Sequence, residues 1–288
     1  MQAETEGEAA LTTKTYTATA TGAVWAALTA PVGAVTVTVD PTLVHAEVTV
    51  RTPDAEGPVA DAVRETVIRE TVAGVHQVLS VEVPAVKGGV SFGGGGWNAT
   101  TMSVNGQSIS FSGPGMQVFG GDVFIGGQRI VAGGRVVAEK GTVVSGTGAA
   151  GGITLDVRLP GASSVSWTTT SADLTVVGDD LHVLEVSSVS GDVSAHGVHT
   201  LSGTSTSGDI DVRRVVGRLA VETTSGDITV DRYSGSGAQV RSVSGDIVIT
   251  GTPAASAQAV IKTVSGDISA RGLAHLAPQI RTVSGDIY

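Results

Sequence analysis

Val189-Ser190-Gly191-Asp192-Val193, Thr206-Ser207-Gly208-Asp209-Ile210, Thr224-Ser225-Gly226-Asp227-Ile228, Val243-Ser244-Gly245-Asp246-Ile247, Val264-Ser265-Gly266-Asp267-Ile268 and Val283-Ser284-Gly285-Asp286-Ile287 are copies of one motif. Its successive aspartates are 17, 18, 19, 21 and 19 residues apart. A near-constant period of this size among β-branched residues marks a parallel β-helix, or β-solenoid, in which each repeat is one coil. Ser171-Ala172-Asp173-Leu174 is a decayed copy 19 residues before Asp192, giving about six coils from Asp173 onward.

Aligned on the aspartate, Val186, Gly203, Val221, Val240, Ile261 and Ile280 stand six positions before it. Ser188, Ser205, Thr223, Ser242, Thr263 and Thr282 stand four before. Val193, Ile210, Ile228, Ile247, Ile268 and Ile287 follow it directly, and Ala195, Val212, Val230, Ile249 and Ala270 stand three after. Steps of two put these side chains on one face of each strand. They are expected to point inward and to stack on the next coil at about 4.8 Å. Ser-Gly-Asp between the columns reads as a corner, with glycine supplying a positive φ and aspartate bonding backbone N–H groups. The crossover rule makes a right-handed coil the expected sense.

Asp192, Asp209, Asp227, Asp246, Asp267 and Asp286 would then form a ladder of carboxylates. Neighbours would repel by about 1 kcal/mol per pair in water. Backbone N–H and Ser hydroxyl bonds together with salt screening are the favoured compensation. A row of weak Ca²⁺ sites is the alternative, since hard oxygen ligands suit that ion. The Ca²⁺-binding nonapeptide repeat is not present in tandem. No cofactor is implied.

Working outward, residues 152–288 read as regular solenoid, with strands at 152–159 and 164–171 leading into the repeats. Residues 88–151 are Gly-rich, with doublets such as Gly120-Gly121 and Gly126-Gly127 between short alternating runs, and read as hairpins or irregular rungs. Residues 13–87 read as a strand-rich region. Runs such as Val35-Thr36-Val37-Thr38-Val39 alternate, turns fall at Gly22, Gly33 and Asp40-Pro41, and strand returns at 78–83. Residues 59–72 carry the one helical pattern, Val59, Val63 and Val67 lying four apart. Residues 1–12 read as a polar, flexible leader. The fold class is therefore all-β with at most one short helix.

Composition agrees. Only 3% of the residues are aromatic and 15% charged, whereas 40 are Gly. Small residues suffice for the thin core of a solenoid. A net charge of −10 argues against general nucleic-acid binding. The absence of Cys removes disulfides, thiolate zinc sites and Cys nucleophiles together. Glu4, Glu6 and Glu8 are the wrong charge for a signal peptide, and no apolar run is long enough to span a membrane. A cytoplasmic location, or one within an assembly, is expected, without membrane insertion.

Motifs of catalysis are weak. Gly146, Gly148 and Gly151 match the spacing G-x-G-x-x-G, but a strand pattern follows at 153–160 where a dinucleotide site needs a helix. There is no G-x-S-x-G elbow, Walker A loop or H-E-x-x-H motif. His196 and His199 fall on an expected turn around Gly197, and Asp179-Asp180 reads as a Gly-Asp-Asp turn rather than a carboxylate pair. The acids are periodic rather than clustered, which favours structure over catalysis. Trp167 is a candidate cap on the first rung and Trp97, after four glycines, a candidate contact residue, but buried packing is the favoured role for each.

The repeated S-G-D-I, the Val-Gly-x-Val-x-Val run at 32–37 and the Gly-rich middle resemble the bacterial "putative adhesin" β-solenoid family, a domain of unknown function. The resemblance is strongest over 152–288. It implies a non-enzymatic structural or adhesin-like scaffold with a protein or surface-glycan partner, and it transfers no catalytic residue. A self-assembling subunit, pairing through the last coil at Ile287 and Tyr288, is the alternative. A carbohydrate-active β-helix enzyme is the less favoured third reading.

Overall fold

The computed structural model describes residues 11–73, 76–86, 152–256 and 258–288, and the backbone of nine short strands between 91 and 143. The chain divides into two compact units. The larger comprises Thr13–Arg51, Glu65–Pro84 and Ile153–Tyr288; the smaller holds Thr52–Arg64 and Ala85–Gly152.

The N-terminal elements are β1 (Thr12–Thr17), β2 (Trp25–Thr29), β3 (Ala34–Asp40), β4 (Glu47–Thr52), α1 (Pro58–Glu65), β5 (Val67–Ala73) and β6 (His76–Glu82). The helix expected at 59–72 is therefore half helix and half strand. Pro58 opens α1 in the position where its missing N–H costs nothing, and Asp61 pairs with Arg64 at 2.9 Å. Beyond Glu65 come Thr66-Val67-Ile68, whose branched side chains disfavour helix. From Val67 to Ala73 this segment pairs antiparallel with β6.

In the smaller unit, β7 (Ser91–Gly93), β8 (Thr100–Val104) and β9 (Gln107–Phe111) form an antiparallel sheet. So do β10 (Met116–Phe119), β11 (Asp122–Ile125), β12 (Gln128–Ala132) and β13 (Arg135–Val136). β14 (Ala138–Glu139) and β15 (Thr142–Val143) make a further antiparallel pair.

The larger unit is the solenoid. It continues through β16 (Thr154–Pro160), β17 (Ser164–Thr169), β18 (Asp173–Val177), β19 (Leu181–Ser188), β20 (Val193–Ser205), β21 (Ile210–Val215), β22 (Arg218–Thr223), β23 (Ile228–Tyr233), β24 (Gly237–Ser242), β25 (Ile247–Gly251), β26 (Ala259–Lys262), β27 (Ile268–Arg271) and β28 (Gln279–Arg281). One long side stacks β6, β2, β17, β19, the second half of β20, β22, β24, β26 and β28, every neighbouring pair parallel. The other stacks β16, β3, β18, the first half of β20, β21, β23, β25 and β27, again parallel. At the N-terminal end the pairing turns antiparallel, with β5 on β6 and β4 on β16.

The strands of Thr13–Arg51 and Glu65–Pro84 are thus part of the solenoid unit. Their order in space differs from their order in sequence. β2 lies between β6 and β17, and β3 lies between β16 and β18. The coil built from residues 25–40 is therefore clamped between segments that come later in the chain.

The core is the set of inward columns. Leu184, Leu201 and Leu219 stack in register, as do Val186, Gly203, Val221, Val240 and Ile261. Opposite them run Val193, Ile210, Ile228, Ile247 and Ile268, all buried. Trp167 does not cap the stack. It is fully buried, in register with Leu28 on one side and Val186 on the other. Among the described residues, no helix is long and apolar enough to cross a membrane.

Candidate functional site

The corner motif is built by hydrogen bonds that repeat from coil to coil. The buried hydroxyls of Ser188, Ser205, Thr223 and Ser242 accept the N–H of Gly191, Gly208, Gly226 and Gly245 at 2.9, 2.9, 3.0 and 2.8 Å. Thr169 accepts the Ala172 N–H at 2.7 Å, so the decayed copy keeps the geometry. The motif serines bond across coils: Ser190, Ser207, Ser225 and Ser244 each donate their hydroxyl to a carbonyl of the preceding coil at 3.0–3.1 Å.

The motif glycine has a different reason from the one its turn-like context suggests. Gly191, Gly208, Gly226, Gly245 and Gly266 are not among the residues with positive φ. Instead, a Cβ on Gly208, Gly226 or Gly245 would stand 2.1 Å from the carbonyl oxygen of the motif glycine one coil before. Backbone packed on backbone leaves no room for a side chain.

The aspartates form a ladder of bonds. Asp173 Oδ1 accepts the Asp192 N–H at 3.0 Å, and Asp192 accepts that of Asp209 at 2.9 Å. Asp209, Asp227, Asp246 and Asp267 then accept the N–H of Asp227, Asp246, Asp267 and Asp286 at 2.8, 2.7, 2.7 and 2.8 Å. A charged acceptor on an N–H is among the stronger hydrogen bonds, and it offsets the like-charge repulsion along the row. Among the described residues, no group of three or more His, Asp or Glu side chains is placed to hold a metal ion.

Two open grooves, among several on the described residues, lie on the exposed side of the β17–β28 stack. One, of about 410 Å³, runs past Thr168, Glu185, Ser202, Thr204, Ala220 and Gln239. The other, of about 540 Å³, lies between the outward residues Glu222, Arg241, Lys262 and Arg281 and the corner valines Val243, Val264 and Val283. Both cross several coils, so their walls are columns of equivalent positions rather than a convergent set.

His196 and His199 lie within β20, not on a turn. Across the coil boundary the rings of His199 and His182 stack, with centroids 5.3 Å apart. Asp179 and Asp180 follow Gly178 (φ +107°), and Asp180 accepts the Ala162 N–H at 3.2 Å. Ile287 bridges to Ile268 and remains 50% exposed; Tyr288 is 68% exposed, and its ionisation is pushed up by the Asp286 carboxylate. Trp97 lies outside the described residues.

One residue of consequence carries no signal in the sequence. Glu70 of β5 accepts the Thr19 N–H at 2.8 Å, the Ala20 N–H at 2.9 Å, the Tyr16 hydroxyl at 2.8 Å and the Thr19 hydroxyl at 2.9 Å. The Thr19 N–H leads the bonds that pull its carboxyl down to about 2. It clasps the turn after β1 to the outermost antiparallel strand.

Stacked parallel coils with a repeated corner define the protein as a β-solenoid of the repeat class. Residues 161–288 match the family model Toastrack DUF4097, a domain of unknown function. Among solved structures, the chain is similar to a "putative adhesin" from Bacteroides fragilis NCTC 9343, with 13% identity, 96% of this chain and 95% of that one covered, and a TM-score of 0.47. It is also similar to a "putative cell adhesion protein" from Clostridium sporogenes ATCC 15579, with 9% identity, 96% of each chain covered, and a TM-score of 0.31. No curated protein matches the chain.

Proposed function

We propose that this protein is a non-enzymatic, adhesin-like scaffold that binds an elongated partner along the exposed side of its β17–β28 stack. The observation that carries this reading is the pair of open grooves crossing successive coils. Equivalent positions recur there at about 4.8 Å, set by strand spacing. Such a surface presents many weak polar and ionic contacts in a line, which suits a polymer or a flat partner. Catalysis instead asks an acid, a base or a nucleophile to converge on one bond.

The test is retention of purified surface polysaccharides and matrix proteins on the immobilised full chain, wild type against Ser202→Trp and Ala220→Trp. These substitutions fill the first groove from outside the core. Retention of at least one polymer, lost in either variant, is the expected result. Failure of every polymer to be retained, or retention unchanged by both variants, overturns the reading.

A further inference from the structure

The outward column five positions before each motif aspartate changes character along the stack. It reads Ser187, Thr204, Glu222, Arg241, Lys262, Arg281, and each is in register with the next. The last three place cations at adjacent positions of a parallel ladder, where like charges directly opposite are destabilising. Glu222 offsets the first of them, at 2.8 Å from Arg241. Among the described residues, neither Lys262 nor Arg281 has a carboxylate within ion-pair distance. The other outward residues of these strands, Gln239, Val260 and Gln279, are neutral. A local row of positive charge thus stands on a chain of net charge −10.

This row forms one wall of the 540 Å³ groove. The facing wall is apolar, with Val243 and Val264 about half exposed and Val283 71% exposed. The Asp246, Asp267 and Asp286 ladder follows three residues beyond those valines in each coil, so an anion is favoured only on the cationic side.

Resting on the scaffold reading above, we propose that this groove binds a linear anionic polysaccharide carrying one carboxylate per sugar. The charge of the row points to it. The cations repeat once per coil, about 4.8 Å apart, and a sugar ring in an extended chain spans a comparable length. The valine wall offers a flat apolar surface to the C–H face of the rings.

The probe is polygalacturonate, with its fully methyl-esterified form and poly-L-glutamate as comparisons. Titration calorimetry of the full chain is run at low and physiological salt. Binding of polygalacturonate that weakens with salt, an at least tenfold loss in Lys262→Gln/Arg281→Gln at unchanged melting temperature, and no binding of the ester are expected. Lys262→Arg should bind like wild type. Absence of binding at low salt, or unchanged affinity in the double glutamine variant, overturns the proposal. Equal binding of the ester also overturns it, while leaving a groove-binding scaffold standing. Tighter binding of poly-L-glutamate replaces the polysaccharide with an acidic peptide. Loss of all binding in Ser202→Trp and Ala220→Trp, with the double glutamine variant unaffected, places the partner in the other groove.

Discussion

Gly226 touches its counterpart one coil before so closely that a methyl group would lie 2.1 Å from the Gly208 carbonyl oxygen and 3.1 Å from Thr223 Oγ1. Neither the carbonyl nor the buried hydroxyl is a flexible side-chain end that can swing away. Gly226→Ala should therefore destabilise the fold by about 3 kcal/mol or more, the upper range for overpacking, read from urea denaturation. The neighbouring aspartate separates charge from hydrogen bonding. Asp227→Asn keeps an oxygen for the Asp246 N–H and removes a member of a like-charged row; its stability should equal or exceed wild type. Asp227→Ala discards the acceptor bonded at 2.7 Å and should lose about 1 kcal/mol. Equal stability of the two variants would show that charge, not the bond, governs the ladder. The inward columns around these residues are legible in the sequence because alternation recurs at one coil length. The glycine's reason is not, because close approach between coils leaves no local mark distinct from a turn.

Among the elements, β5 shows what periodicity conceals. Val59, Val63 and Val67 share a helical spacing, yet the helix stops at Glu65 because β5 finds a complete antiparallel partner in β6. Tertiary pairing overrides a local pattern written in β-branched residues. Glu70 on that strand is invisible in advance, since its partners at Tyr16, Thr19 and Ala20 are some fifty residues away. Its carboxyl lies near 2 in the folded chain against 4.5 ordinarily, so the clasp stabilises fully above about 4.5 and is lost as pH falls towards 2. Partial exposure limits the contribution to about 1–2 kcal/mol. Glu70→Gln should melt lower than wild type at pH 7, and the gap should narrow steadily below pH 4.5. A gap independent of pH would assign the effect to packing instead.

For the whole molecule, the informative feature is which coil neighbours which. β3 is hydrogen-bonded to β16 on one side and β18 on the other, with Val35, Val37 and Val39 buried. Native-state hydrogen exchange should place β3 amides among the slowest in the chain, well slower than those of β28, which pairs with β26 alone along its length. Exchange of β3 as fast as β28 would contradict the clamped arrangement. The sequence announces that residues 34–40 form a strand but not where it stacks. Many Val-Thr strands of similar pattern compete, and only the full set of pairings decides among them.

That clamped coil also imposes an order in time. A solenoid whose coils stack in sequence order can add each turn as it leaves the ribosome. Here β3, complete at Asp40, finds its parallel neighbour β16 only when residues 154–160 have been made. At synthesis rates of roughly 5–20 residues per second, that is a wait on the order of ten seconds. During it, a strand of alternating valines has open edges, and whatever shields those edges in the nascent chain decides how much of this protein reaches its final form.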